Sequence, residues 1–271
     1  MFHSLALGGG GVRGGLHIGA LAAYEKICGP LVFPNGIYGC SIGSIVATAV
    51  AFHLTSSQIY TMFETHFHLD RFLPAIRLSS IASLSVKKGL FPMEKFETAL
   101  VEAFASQNVD LRGKTIADAP QKLCIVASNM TTQNVTVFAG TVSILDAIKC
   151  SSCLPLVFAP QILYNQVYLD GGIFVDCLSQ IVPPGTLVFH ISAPSEAIFP
   201  SDLDTMELPT YFHRVYRSMR GKPHTLDTVW LQNTTISMLQ TLTPEDKKLL
   251  HEQGFSQAST FLSKRLAQKL H

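Results

Sequence analysis

Gly8-Gly9-Gly10-Gly11-Val12-Arg13-Gly14-Gly15, followed further along by Gly39-Cys40-Ser41-Ile42-Gly43, decides how this 271-residue chain is read. An apolar segment, Phe2 to Leu7, runs into the first stretch. Behind it Leu16, Gly19, Ala20, Ala23, Tyr24 and Ile27 recur at helical spacing until Gly29-Pro30 stops the pattern. The second stretch repeats this plan: Gly36 to Tyr38 leads in, and the small-residue segment Ile42 to Leu54 follows as a helix able to pack closely on a sheet. Two strand-turn-helix units with glycine-rich turns point to an α/β domain.

The second turn has the G-x-S-x-G form of a nucleophile elbow, in which flanking glycines keep side chains off a tight bend and a serine projects above a helix N-terminus. Ser41 is the candidate nucleophile, with Gly39 and Gly43 as its supports. Read by itself, the pentapeptide is equally a helix cap before a packing helix. The first turn offers side-chain-free N–H groups, at Gly9, Gly10 and Gly11, for the negative charge that serine attack creates on an ester. Arg13 either braces that loop through its carbonyls or favours an anionic substrate. A nucleotide site is the competing reading of the glycines, but the Lys-Ser/Thr ending of a phosphate loop is missing.

A serine also needs a base. The apolar run Val167 to Leu169 ends in Asp170-Gly171-Gly172, which holds an acid at a rigid turn; the alternative is an ordinary Asp-Gly turn. The order Ser…Asp…His would add His190, yet this residue lies inside the apolar strand Leu187 to Ile191. His3, His17, His53, His66 and His68 are scattered without an acidic or cysteine cluster, so no metal site is expected.

Twenty basic against 19 acidic residues leave a net charge of +1, which excludes any global drive toward nucleic acid. Apolar residues make up 47% and charged ones 14%, a balance that suits a lipid interface or a self-association surface. The six cysteines sit in apolar surroundings and read as reduced core residues. No signal-peptide pattern begins at Met1 and no apolar run is long enough to span a bilayer. The expected setting is therefore cytoplasmic, with peripheral contact to intracellular membranes. Two basic patches suit such contact: Lys87-Lys88 before Leu90-Phe91, and Arg214, Arg217 and Arg220 at every third position. Residues 70–90 read as a cover or an ordinary connection. Helices are expected over 210–219, 226–239 and 245–270, giving one domain, 1–271, with a catalytic core over 1–192 and a mainly helical elaboration over 193–271.

Together the glycine-rich loop with Arg13, the Ser41 elbow and Asp170-Gly171-Gly172 resemble the patatin-like phospholipase family. Ala127-Ser128-Asn129-Met130 is similar to the family's mid-sheet strand end, and Ala147 through Cys153-Leu154-Pro155 to the segment before its aspartate. The likeness covers roughly residues 3–192. It implies a three-layer α/β/α fold with a central, mainly parallel sheet, and a Ser41–Asp170 dyad without histidine, supported by Gly171 and Gly172. It also implies hydrolysis of phospholipid, galactolipid or neutral-glyceride esters without cofactor, metal or catalytic calcium. The leading expectation is a calcium-independent phospholipase A or lysophospholipase whose partner is a phospholipid or other long-chain acyl ester. A glyceride or galactolipid hydrolase, or a catalytically silent lipid-binding protein, is the alternative. Relatives follow the Asp-Gly-Gly with Asn and Pro, whereas this chain has Ile173-Phe174-Val175-Asp176.

Overall fold

The computed structural model describes residues 2–73, 84–192, 198–206, 211, 214–215 and 227–268. The two expected units form as read. Strand β1, Ser4–Leu7, enters a 3-10 turn at Gly11–Gly14 and then helix α1, Gly15–Cys28. Strand β2, Gly36–Cys40, runs through Ser41 into helix α2, Ile42–Ala51. Helices α3, Ser56–His66, and α4, Leu69–Phe72, follow, and α3 begins at a Thr55/Gln58 capping box. Strand β3, Gly89–Phe91, precedes helix α5, Glu94–Ala105. Strands β4, Leu123–Asn129, and β5, Asn134–Phe138, make a hairpin around the expected polar turn. Helix α6, Ile144–Ser151, leads to β6, Leu156–Phe158, β7, Gln161–Leu163, β8, Gln166–Asp170, and β9, Leu187–Ser192.

In pairing order the main sheet runs β10-β9-β1-β2-β4, every neighbour parallel, with β10 spanning Thr228–Gln232. Strand β4 also pairs antiparallel with β5 and β8, and β7 pairs with β8. Strands β3 and β6 form a separate parallel pair. The architecture is thus α/β, with a mostly parallel central sheet flanked by helices. Alternate strand residues divide between two cores, as the period of two requires. Leu5, Leu7, Ile37, Leu123 and Ile125 join the helices in the larger one. Ala6, Tyr38, Cys124, Val126 and Val188 face a smaller one closed by Val175, Cys177 and Leu178.

The chain departs from expectation between 226 and 239, where a helix was predicted and Thr228–Gln232 forms strand β10 instead. Its Thr-Val-Trp-Leu-Gln sequence carries β-branched and aromatic residues, and the open edge of β9 supplies backbone partners for it. The stretch expected as a helix over 210–219 lies mostly outside the described residues. Helix α7, Pro244–Ala267, begins where predicted, with Thr243 and Asp246 forming a capping box. Its buried Lys247 donates from Nζ to the carbonyls of Phe63 and Glu64, at 3.2 and 2.8 Å, and so caps the end of α3.

Helix α7 lies directly against α1 because glycines remove the side chains between them. A Cβ on Gly254 would collide with the Leu16 carbonyl, and one on Gly19 with the His251 carbonyl. Gly254→Val is therefore expected to destabilise the fold by about 2–3 kcal/mol, read as a lower urea midpoint. A midpoint equal to wild type would mean that the helices have room to spare.

Candidate active site

The site exists because two strands meet end to end on one edge of β4. Val126 pairs with Cys40 of β2 and with Val137 of β5; the next residue, Ala127, pairs with Asp170 of β8 and Thr136 of β5. Since β5 occupies one edge from Ile125 to Asn129, β2 and β8 share the other. Strand β2 arrives parallel to β4, β8 arrives antiparallel, and their last residues abut. Ser41, one residue beyond β2, and Asp170, the last residue of β8, are thereby brought together.

Ser41 sits at φ 55°, ψ −131°, outside the regions an L-residue prefers. Such a conformation costs about 1–3 kcal/mol and persists only where the surroundings impose it. Here they do: the Ser41 N–H donates to Ser151 Oγ at 2.9 Å, and Ser151 Oγ donates to the Val126 carbonyl at 2.6 Å. On the other side the Ser41 carbonyl accepts from Ser44 N–H and Oγ, at 2.8 and 2.6 Å. The two elbow glycines allow close approach: a Cβ on Gly43 would strike the Leu7 carbonyl, and one on Gly39 would lie 2.5 Å from Ser44 Cα.

Asp170 is buried, with its carboxylate accepting the Gly172 N–H at 2.8 Å. Burial lifts its pKa from 3.8 to about 6, while the nearby Ser41 hydroxyl and the Gly172 N–H favour the ionised form and pull the other way. Although the Asn and Pro of the relatives are replaced here, Gly171–Ile173 forms a 3-10 turn. Ser128 Oγ holds it, donating to the Gly171 carbonyl at 3.2 Å and accepting the Phe174 N–H at 3.1 Å.

The glycine loop lies across from the elbow. A Cβ on Gly9 would be 3.3 Å from Ser41 Cβ, so the loop runs beside the serine with no room to spare for a side chain. Gly11 has φ +58°, and a Cβ there would meet the Met238 carbonyl, which accepts the Val12 N–H at 3.0 Å. The buried Arg13 donates its own N–H and its Nε to the Gly10 carbonyl, each at 3.3 Å. His17, fully buried on α1, donates Nε2–H to the Gly8 carbonyl at 2.8 Å; that ring nitrogen carries the proton because a carbonyl oxygen only accepts. Burial lowers the His17 pKa to about 4, leaving the imidazole neutral at pH 7.

Loop, elbow and acid open into one cavity of about 530 Å³. Its polar lining is mostly Ser41, Asp170, Arg13, Asp176 and His190, and the rest is largely apolar. Phe63, Phe67, Phe72, Phe96 and Phe158 line it as a chain of rings, successive centroids lying 5.2–5.7 Å apart. His190 stacks edge-on against Trp230 at 4.7 Å and reaches the cavity from β9. Neither of the partners found at the Asp170 carboxylate is an imidazole.

Among the predicted positions, Ser41, Asp170, Gly172, Arg13 and Gly9–Gly11 all line this cavity. Gly171 packs beneath, where a Cβ would lie 2.7 Å from Cys40 Sγ. Lys87 and Lys88 are exposed, just before β3, whose partner strand β6 contributes to the cavity wall. Arg214 pairs with Asp202 at 3.4 Å; Arg217 and Arg220 lie outside the described residues, as does the middle of the expected cover, 74–83. Sequence reasoning missed Ser151, Met238 and the phenylalanine chain. The small-residue segment around Ser151 was visible, but only the fold shows that its hydroxyl reaches Ser41. Among the described residues no group of three or more His, Cys, Asp and Glu is placed to hold a metal ion. No helix there is long and apolar enough to cross a membrane.

A family model described as patatin-like phospholipase matches residues 5–177, well over half of the chain. The chain belongs to the patatin-like phospholipase family. An uncharacterized protein, R571, of Acanthamoeba polyphaga mimivirus is 29% identical over 177 residues, which cover 62% of this chain and 57% of that protein. Among solved structures, VipD from Legionella pneumophila matches at a TM-score of 0.58 and 13% identity, covering 97% of this chain and 67% of VipD. The type III effector ExoU, from Pseudomonas aeruginosa, matches at 0.50 and 16%, covering 97% of this chain and 53% of ExoU. The chain thus spans little more than half of the mimivirus protein and of ExoU. The two structural likenesses show the shared fold.

Asp170 makes stability depend on pH in a definite direction. Its folded pKa lies above its unfolded one, so its stabilising contribution is complete below 3.8 and is lost as pH rises through about 6. The stability of Asp170→Asn minus that of wild type should therefore grow by on the order of 2–3 kcal/mol between pH 4 and pH 7.5. Urea titrations at the two pH values measure it, and a difference that is flat or shrinks with pH would contradict the burial argument.

Proposed function

We propose that the chain is a serine-dependent lipid acyl hydrolase in which Ser41 is the nucleophile, Asp170 its base and the Gly9–Gly11 amides the oxyanion donors. The observation carrying this reading is the juxtaposition of the Ser41 hydroxyl and a buried carboxylate whose ionised form it favours, at a strained elbow facing an amide-rich loop. An ordinary carboxylate is a weak base for a hydroxyl. Burial makes Asp170 a stronger one, while a pKa of about 6 leaves it mainly ionised at neutral pH.

Asp170 takes the Ser41 proton as Oγ bonds to the ester carbonyl carbon, and the carbonyl electron pair moves onto oxygen. Loop amides hold that oxyanion, each contributing about 3 kcal/mol of transition-state stabilisation. Collapse breaks the bond to the leaving alcohol, whose oxygen receives the proton from Asp170. Water, deprotonated by the same carboxylate, then attacks the acyl-serine; the bond to Ser41 Oγ breaks, Oγ takes the proton back from Asp170, and the fatty acid is released. Arg13 braces the loop through the Gly10 carbonyl. Amide donors supply the electrophilic help, so this chemistry has no step for calcium.

The cavity favours a long acyl chain, because the phenylalanine chain offers apolar wall well beyond the reacting carbon. A glycerophospholipid is the leading substrate, a reading supported by the exposure of Lys87 and Lys88, whose charge suits a phosphate at a membrane surface.

Ser41→Ala and Asp170→Asn should each bring ester hydrolysis to near background while the fold is kept, whereas His190→Gln should stay far above them. A folded His190→Gln protein as inactive as Ser41→Ala would overturn the dyad. For the wild type, kcat/KM should rise with pH through about 6 and then level, since the base must be ionised. Product analysis on phospholipids, lysophospholipids, galactolipids and triglycerides, with EGTA present, tests the substrate class. Turnover of soluble esters alone, or activity restored only by calcium, would refute that part.

A further inference from the structure

We infer that His17 is a positioning residue for the oxyanion loop: its Nε2–H holds the Gly8 carbonyl and so aims the Gly9 N–H at the reacting carbonyl oxygen. This rests on the proposed use of the loop amides as donors and adds the residue that orients the one nearest Ser41.

The argument starts from the peptide plane. Among the described residues there are no cis peptide bonds, so across the Gly8–Gly9 peptide the C=O and the N–H point in opposite directions. The Gly8 carbonyl is turned toward His17 on α1. The Gly9 N–H is therefore turned away from α1, at the loop residue that lies beside Ser41 and lines the cavity with it. Among the described residues neither Gly9 nor Gly10 donates its N–H to a protein acceptor, although the neighbouring Gly8 and Val12 amides both do. Arg13 treats the Gly10 carbonyl in the same way, two residues on. Glycine has no side chain to limit rotation of these peptides, so carbonyl anchors must set their direction.

Packing alone gives no reason for a histidine here. His17 is fully buried in the interior of α1, and its Nδ1 has no hydrogen-bond partner among the described residues. A buried polar atom left bare is destabilising, and an apolar side chain would fill the same space without it. What an apolar residue cannot supply is the donor to Gly8.

The test compares His17→Met and His17→Gln, side chains of similar length that differ in the donor, with His17→Leu as a second donorless shape. Hydrolysis of a soluble ester and binding of an alkyl trifluoromethyl ketone, which adds to serine and places an oxyanion in the loop, are the readouts. The donorless variants should lose roughly 10- to 100-fold in kcat with KM within about twofold, and ketone affinity should fall in parallel. His17→Gln should recover most of both, while thermal midpoints do not follow the same order. Equal kcat for a folded donorless variant and wild type, or for donorless and His17→Gln proteins, would overturn the role of His17 alone. Absence of Ser41-dependent hydrolysis in the wild type would instead overturn the parent reading, and this one with it.

Discussion

Everything chemical in this molecule depends on one edge of β4 being shared by two strands that approach from opposite directions. Hydrogen-bonded pairing fixes each of them to within a residue, so Cys40 opposite Val126 and Asp170 opposite Ala127 are neighbours by necessity. A serine one step past the first strand and an acid closing the second then meet without help from any flexible loop. Paired strands, rather than a loop, set the alignment that the proposed serine–carboxylate chemistry requires.

Around this junction the structure accepts local cost. Ser41 is held in a strained conformation, Asp170 is dehydrated, and His17 keeps a bare nitrogen in the interior. Each is stabilised from a different part of the chain: Ser151 and Ser44 for the elbow, Gly172 for the acid, α1 for the loop. Such unfavourable features gathered at one place are what a preorganised site requires, since groups relaxed in the free protein would have to be rearranged during reaction.

The parts of this arrangement legible in the sequence are those written in short-range signals. Glycine-rich turns between apolar runs announced both strand-turn-helix units, and an acid before two glycines announced the end of β8. The parts that were not legible rest on distant partners. Thr228–Gln232 carries strand-favouring residues, but so short a run does not by itself separate a strand from a continuing helix; what decides is the unpaired edge of β9, made about 40 residues earlier. Ser151 reaches Ser41 across 110 positions. The cavity's rings come from Phe63, Phe67, Phe72, Phe96 and Phe158, a spread in which no periodicity shows. Lys87-Lys88 and the arginines at every third position read as two basic patches, yet Arg214 is engaged by Asp202.

The brace that Met238 provides to the glycine loop sets an order of assembly during synthesis. The ribosome makes Ser41 first, then Asp170, and reaches Met238 and the α7 glycine that seats against Leu16 only afterwards. A nascent chain can therefore bring serine and acid together on β4 while the loop that completes the pocket still lacks its support. If the loop serves the site as proposed, the pocket is completed only once Met238 has been made, when the strands that carry Ser41 and Asp170 already exist.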